Sequence, residues 1–369
     1  MIVRFSAFVL PLLLGLPALA EGRSDAFLDL VGRVPSELVA PGSEPRFPQV
    51  HFADHAAAAA LVATLPPRAS PDPVQSYGPY ARLQTPLAVQ VAPGLEGGWE
   101  PRVGFGPLDI RASLVVAAPP HQAMLLRLAD GSAEGIAPAL LAAGYEPGVR
   151  DGVDALVRNP EDFGISLGDR HIADPFGGAL GAASRVLLDG SLLLQANNWP
   201  DLLAMAQGPG GVSGRSQPDL AALAAVLDRP DWGDAALIQA VLWPEQAALS
   251  RGGHGGLPPW RTALMADLAT GLETRTLVLF SYADRASAEA AAARLEAGWA
   301  TEPMAAGRSL REITETEAET QVLGDGPFVA VLSLRAPTEA LSGGWPVNGP
   351  FVRLLTAQAR GDLMLFGPA

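Results

Sequence analysis

Short apolar runs separated by turn-forming residues recur along most of this chain, and their spacing predicts a mixture of strands and helices. Residues 109–116 and 123–128 read as strands. The Asp130-Gly131 turn leads into a helix over 132–143, closed by Gly144 as a left-handed cap. Residues 154–158 return as a strand, and 185–188 with 192–195 form a hairpin around Asp189-Gly190-Ser191. A helix is expected over 199–206. Another is expected up to Leu227, started by a capping-box-like Ser216 and Asp219. Beyond it, 235–242, 276–282 and 328–334 have strand character, 287–297 and 351–359 helix character, and 363–366 forms a closing strand.

Two of these passages resemble each other. Residues 124–145 align without gaps on residues 278–299, with eight of twenty-two positions identical, among them Asp130/Asp284, Leu141/Leu295 and Gly144/Gly298. Tyr145 faces Trp299. This similarity predicts an internal duplication, and hence an α+β fold of two related β-α-β-containing halves, ferredoxin-like or similar split α/β sandwiches. The first half would span residues 101–207 and the second 216–369, joined by a linker at 208–215 that holds the run GPGGVSG.

The segment before residue 101 has a different texture. Residues 1–20 carry one arginine, an apolar run over 8–16 and the small-residue end Ala18-Leu19-Ala20, the layout of a secretory signal peptide cleaved after Ala20. Residues 21–100 are broken by many prolines and read as an N-terminal arm with one helix-like island over 53–64. No later stretch stays apolar long enough for a transmembrane helix, although mean hydropathy is +0.21. The expected localisation is periplasmic.

Composition narrows the chemistry further. The chain has no cysteine, and all twenty-five of its basic residues are arginines. Thiol nucleophiles, thiolate metal sites, Schiff-base lysines and the Walker phosphate loop are thereby excluded. A net charge of −14 opposes binding to phosphate backbones and anionic lipid surfaces, so nucleic acid is not an expected partner.

Four local patterns carry candidate chemistry. His51, Asp54 and His55 resemble the zinc-protease pattern H-x-x-E-H with Asp in place of Glu, in which two histidines on one helix face hold a metal and the acid activates water. Residues 164–168 fit G-x-S-x-G, which would make Ser166 a nucleophile if a strand preceded it and a helix followed. Glu315, Glu317 and Glu319 alternate as on a solvated edge strand guarded by charge. Trp199, Trp232, Trp243, Trp260 and Trp345 lie beside Pro, Gly or Asp in inferred loops, where exposed aromatics would line a binding surface.

No pattern gathers a nucleophile, a base and an oxyanion site in one setting. The expectation is a non-enzymatic periplasmic binding or accessory protein of the bacterial cell envelope, without a cofactor. Its partner would be an envelope protein or a small ligand. The alternative is a periplasmic hydrolase, metal-dependent through His51, Asp54 and His55 or serine-type through Ser166.

Overall fold

A computed structural model describes residues 22–39, 48–64, 79–88, 98–208, 216–244, 256–271, 273–303, 307–340 and 346–367. The expected signal peptide, Trp345 and nearly all of the Gly-rich linker lie outside the described residues. Twelve strands form one antiparallel sheet. They are β1 (Gln49–Asp54), β2 (Ile110–Ala118), β3 (His121–Leu128), β4 (Glu146–Arg150), β5 (Val153–Arg158), β6 (Ser184–Asp189), β7 (Leu192–Ala196), β8 (Ala236–Trp243), β9 (Ala263–Ala269), β10 (Glu273–Tyr282), β11 (Ala318–Leu323) and β12 (Phe328–Pro337). Their order is β11-β12-β10-β9-β8-β1-β2-β3-β7-β6-β5-β4. A separate hairpin pairs β13 (Glu339–Ala340) with β14 (Pro346–Val347).

The α+β character follows, but two expectations need correction. The ferredoxin-like pair of sandwiches is replaced by one continuous sheet, because β1 pairs with β2 on one side and with β8 on the other. The segment read as a Pro-rich N-terminal arm therefore supplies the strand that joins the two flanks, and part of its expected helix-like island, residues 53–54, ends that strand. Its sequence, QVHFAD, hides that role because a histidine occupies one of its four buried positions.

Helices cover both faces: α1 (Asp25–Val31), α2 (Ser36–Val39), α3 (His55–Ala63), α4 (Pro79–Arg82), α5 (Trp99–Val103), α6 (Ile136–Ala142), α7 (Trp199–Ala206), α8 (Pro218–Leu227), α9 (Arg285–Trp299), α10 (Leu310–Thr314) and α11 (Gly349–Ala359). Strand alternation assigns the faces. Val50, Leu114, Leu125, Leu194, Leu264 and Leu279 point into one core with Leu30 of α1, Leu202 of α7 and Leu223 of α8. The other face holds two apolar clusters, Leu126 and Leu193 beneath α5 and α6, and Met265, Phe280 and Leu332 beneath α9 and α11.

Between those clusters runs a buried polar seam. Asp267 stands between Gln239 and Thr276 on neighbouring strands. It accepts from Arg82 of α4 at 2.8 Å, from Gln239 at 3.0 Å and from Asn348, which caps α11, at 2.9 Å. Arg82 and Asp267 are both fully buried. A buried ion pair persists only when its remaining polar atoms are satisfied, and here three elements converge to satisfy one carboxylate.

The two similar passages occupy corresponding places. β3 and β10 each follow two antiparallel strands, each is followed by a helix, and each pairs on its far side with the last strand of its flank, β7 or β12. Leu125 and Leu279 face the same core, and Tyr145 and Trp299 are both buried. The matched glycines differ in role. Gly144 has φ +91° and follows α6 as a left-handed cap, whereas Gly298 lies inside α9, which runs on to Trp299. Leu141 is exposed and Leu295 buried, because α9 begins directly after its Asp284 cap while five turn residues separate Asp130 from α6. Other local differences are smaller. The helix over 218–227 is led by Gln217 without a side-chain cap, and the expected closing strand is instead a 3-10 turn at Met364–Phe366.

Candidate functional site

The sheet ends at β11 on one side and β4 on the other. β11 carries exposed Glu319 and Gln321, as expected of a charged edge; Glu317 precedes it and pairs with Arg311, and Glu315 caps α10. At the opposite end the β4–β5 hairpin turns through Asp151 and Gly152, both with positive φ, and leads into the long connection 159–183. Eight large hydrophobic side chains are exposed among the described residues, and five belong to this connection: Phe163, Ile165, Leu167, Ile172 and Leu180. A sixth, Val149, stands on β4. Scattered exposed leucines need no explanation, whereas here most of the exposed large apolar side chains are concentrated in one loop.

The loop is ordered from beneath by buried arginines. Arg158, the last residue of β5, is paired with Asp174, and its guanidinium also donates to the carbonyls of Phe176 and Ala182, each at 3.0 Å. Asp174 further accepts from the Tyr145 hydroxyl at 3.0 Å and from the Phe176 amide at 2.9 Å. Burial, reinforced by this neighbouring carboxylate, pushes the Tyr145 hydroxyl well above its ordinary range, so it stays a donor. Arg185 of β6 reaches the other end, donating to Pro160 O at 2.8 Å and pairing with Asp162 at 2.9 Å; Asp162 also accepts from the Trp199 amide at 3.0 Å.

Backbone bonds complete the frame, from Ser166 N to Gly181 O and from Ala183 N to Gly164 O. Gly181 has φ +62°, and a Cβ there would meet Ser166 O at 1.9 Å, so only glycine fits the crossing. Phe163 has φ +61°, a left-handed conformation that bulky side chains rarely adopt. Its ring lies edge-on to His121, 5.0 Å between centroids, and His121 is itself held at 2.7 Å by Asp201 of α7. Strain of this kind concentrates where a side chain has a task.

The residues singled out from the sequence do not assemble into a catalytic site. His51 lies on β1, Asp54 caps α3 by accepting from Ala57 N at 2.8 Å, and His55 opens that helix. The two histidines therefore do not share one helix face, because the strand ends between them. Desolvation holds His51 down to about 4 and His55 to about 3, and His55 is hydrogen-bonded to Ser113 Oγ at 2.8 Å. No cluster of three metal-ligating side chains occurs among the described residues. Ser166 precedes a 3-10 turn, Leu167–Asp169, rather than linking a strand to a helix, and its hydroxyl donates to Asp169 at 2.6 Å.

The tryptophans expected at loop tips are core residues: Trp199 is 8 % exposed, Trp232 6 %, Trp243 1 % and Trp260 3 %. Their neighbouring prolines and glycines mark element ends, and the large rings close the core there. The apolar surface that is exposed among the described residues is mostly aliphatic, with Phe163 its one aromatic ring, and lies elsewhere. In sequence its signal was the alternation of Phe163, Ile165 and Leu167 with Gly164, Ser166 and Gly168.

The chain is thus an α+β protein with a large antiparallel sheet and a pinned apolar loop at one end. No helix among the described residues is long and apolar enough to cross a membrane. No family model and no curated protein matches the chain. Among solved structures it is similar to TP0453 in crystal form I, at 7 % identity and a TM-score of 0.36, covering 90 % of this chain and 96 % of that one. Crystal form III of TP0453 matches at 6 % identity with the same TM-score, covering 89 % and 97 %.

Proposed function

We propose that this is a non-enzymatic, exported binding or accessory protein of the bacterial cell envelope, and that the 159–183 loop is its working surface. The observation that supports this reading is the concentration of exposed aliphatic side chains on a loop fixed by two buried arginines. Pre-ordering a binding loop removes an entropic cost from association. A signal peptide over 1–20 accords with export, and recovery of Glu21 as the mature N-terminus from a periplasmic fraction tests it. The matched strand–helix order of the two flanks supports descent from one duplicated unit, with the first flank having gained the extra strands from which the loop springs.

Complementation of a deletion strain tests the function. A His51→Ala, His55→Ala, Ser166→Ala variant is expected to complement when folded and equally abundant, whereas Ile165→Asp with Leu167→Asp is expected to fail. The opposite pattern overturns the reading in favour of a hydrolase.

A further inference from the structure

Resting on that reading, we infer that the loop's partner is a folded protein whose apolar groove is rimmed by basic residues. The hairpin and loop that present the aliphatic side chains also expose five acidic residues, Glu146, Asp151, Asp154, Glu161 and Asp169. Against them stand two exposed arginines, Arg150 and Arg170. The exposed apolar side chains therefore share their hairpin and loop with predominantly negative groups, on a chain whose net charge is −14. Complementary potentials select partners and repel wrong ones.

Three other occupants are disfavoured by the same features. A second copy would bring two acidic surroundings together, and an anionic lipid surface would repel them. Strand addition at the sheet edge is weakened because Pro147 of β4 has no N–H to give a new strand. Recognition therefore rests on side chains: the aliphatic row enters the groove while the carboxylates meet the cationic rim.

The test is site-specific photo-crosslinking in the native host, with benzoylphenylalanine at Ile165 or Leu167 and at Leu108 as control, followed by titration of the full-length protein against the purified crosslinked partner. The expected result is a protein adduct from the loop positions but not from the control. Its Kd should rise at least tenfold with Leu167→Asp. It should also rise several-fold with combined Glu146→Gln, Asp154→Asn and Glu161→Gln, and again between 50 and 300 mM NaCl.

If Leu167→Asp weakens binding while the charge variants and salt do not, the loop is a docking surface but the inference about the partner is wrong. If Leu167→Asp changes nothing, both fall. A loop adduct to a second copy of this chain also overturns the inference, as does loop-dependent binding to vesicles of phosphatidylethanolamine and phosphatidylglycerol, or the absence of any adduct.

Discussion

Acidification should weaken this fold through two residues that resemble a metal site. His51 and His55 are held neutral by burial, at about 4 and about 3, whereas an unfolded imidazole titrates near 6.5. As pH falls below the unfolded value, the unfolded chain takes up protons that the native state refuses, so stability is lost progressively down to the folded values. Between pH 7 and pH 5 each group costs about 2 kcal/mol, and the pair about 4 kcal/mol, a large share of an ordinary folding free energy. Urea unfolding at the two pH values, in wild type and in His51→Gln, His55→Gln and the double variant, measures this directly. Each single variant should recover about 2 kcal/mol of the pH-dependent loss, whatever its stability at pH 7. A double variant that loses as much on acidification as wild type refutes the reasoning, as would NMR titration showing either native imidazole protonated at pH 5.

Three further outcomes probe the frame and the seam. Gly181→Ala should lower stability by roughly 2 kcal/mol or more, because its Cβ would collide with Ser166 O, while Gly190→Ala, equally left-handed but with open space, should cost about 1 kcal/mol; thermal unfolding separates them. Asp267→Ala should cost on the order of 3–5 kcal/mol by removing the carboxylate that offsets the buried Arg82 charge, and the Arg82→Met, Asp267→Leu double variant should cost less than Asp267→Ala alone, in denaturant titration. Phe163→Gly relaxes a left-handed backbone, so its Tm should move little, yet capture at the loop should fall; a large loss of Tm would show that the ring serves the core.

Elements with strong apolar runs were legible from the sequence, and those with polar residues at buried positions were not. The helix over 199–206 and the strands around Asp189-Gly190 stand where the pattern puts them. β1 was hidden by His51, and β9 by Asp267, each a polar residue at a buried strand position: His51 is bonded locally, to Gln49, while the partners of Asp267 come from distant segments. β4 was hidden by Pro147 and Gly148, which suit an exposed edge better than an interior strand, although the Asp151-Gly152 turn beside it was a usable hairpin signal. Export motifs and composition could suggest a compartment. They could not reveal which tryptophans were inside, because neighbouring Pro and Gly mark element ends whether or not the ring is buried.

The candidate surface was illegible for a more specific reason. An apolar residue at every second position, as at 163, 165 and 167, ordinarily buries that row against a core. Here the space beneath the loop is taken by Arg158 and Arg185, whose guanidiniums hold the carbonyls of Pro160, Phe176 and Ala182. Those charges were placed by β5 and β6, and the loop satisfies them by turning backbone carbonyls and the carboxylates of Asp162 and Asp174 inward, while its apolar row is left facing solvent. An unsatisfied buried guanidinium would cost several kcal/mol, more than exposing any one of these side chains. The apolar surface is therefore fixed outward by polar chemistry underneath it. Weakening that chemistry, for instance with Asp174→Asn, should reduce capture at the loop even though no exposed residue has changed, and the Arg158→Met, Asp174→Leu double variant should not restore it even where stability recovers. Recovery of capture in the double variant would show that the aliphatic row holds its place without the buried pair.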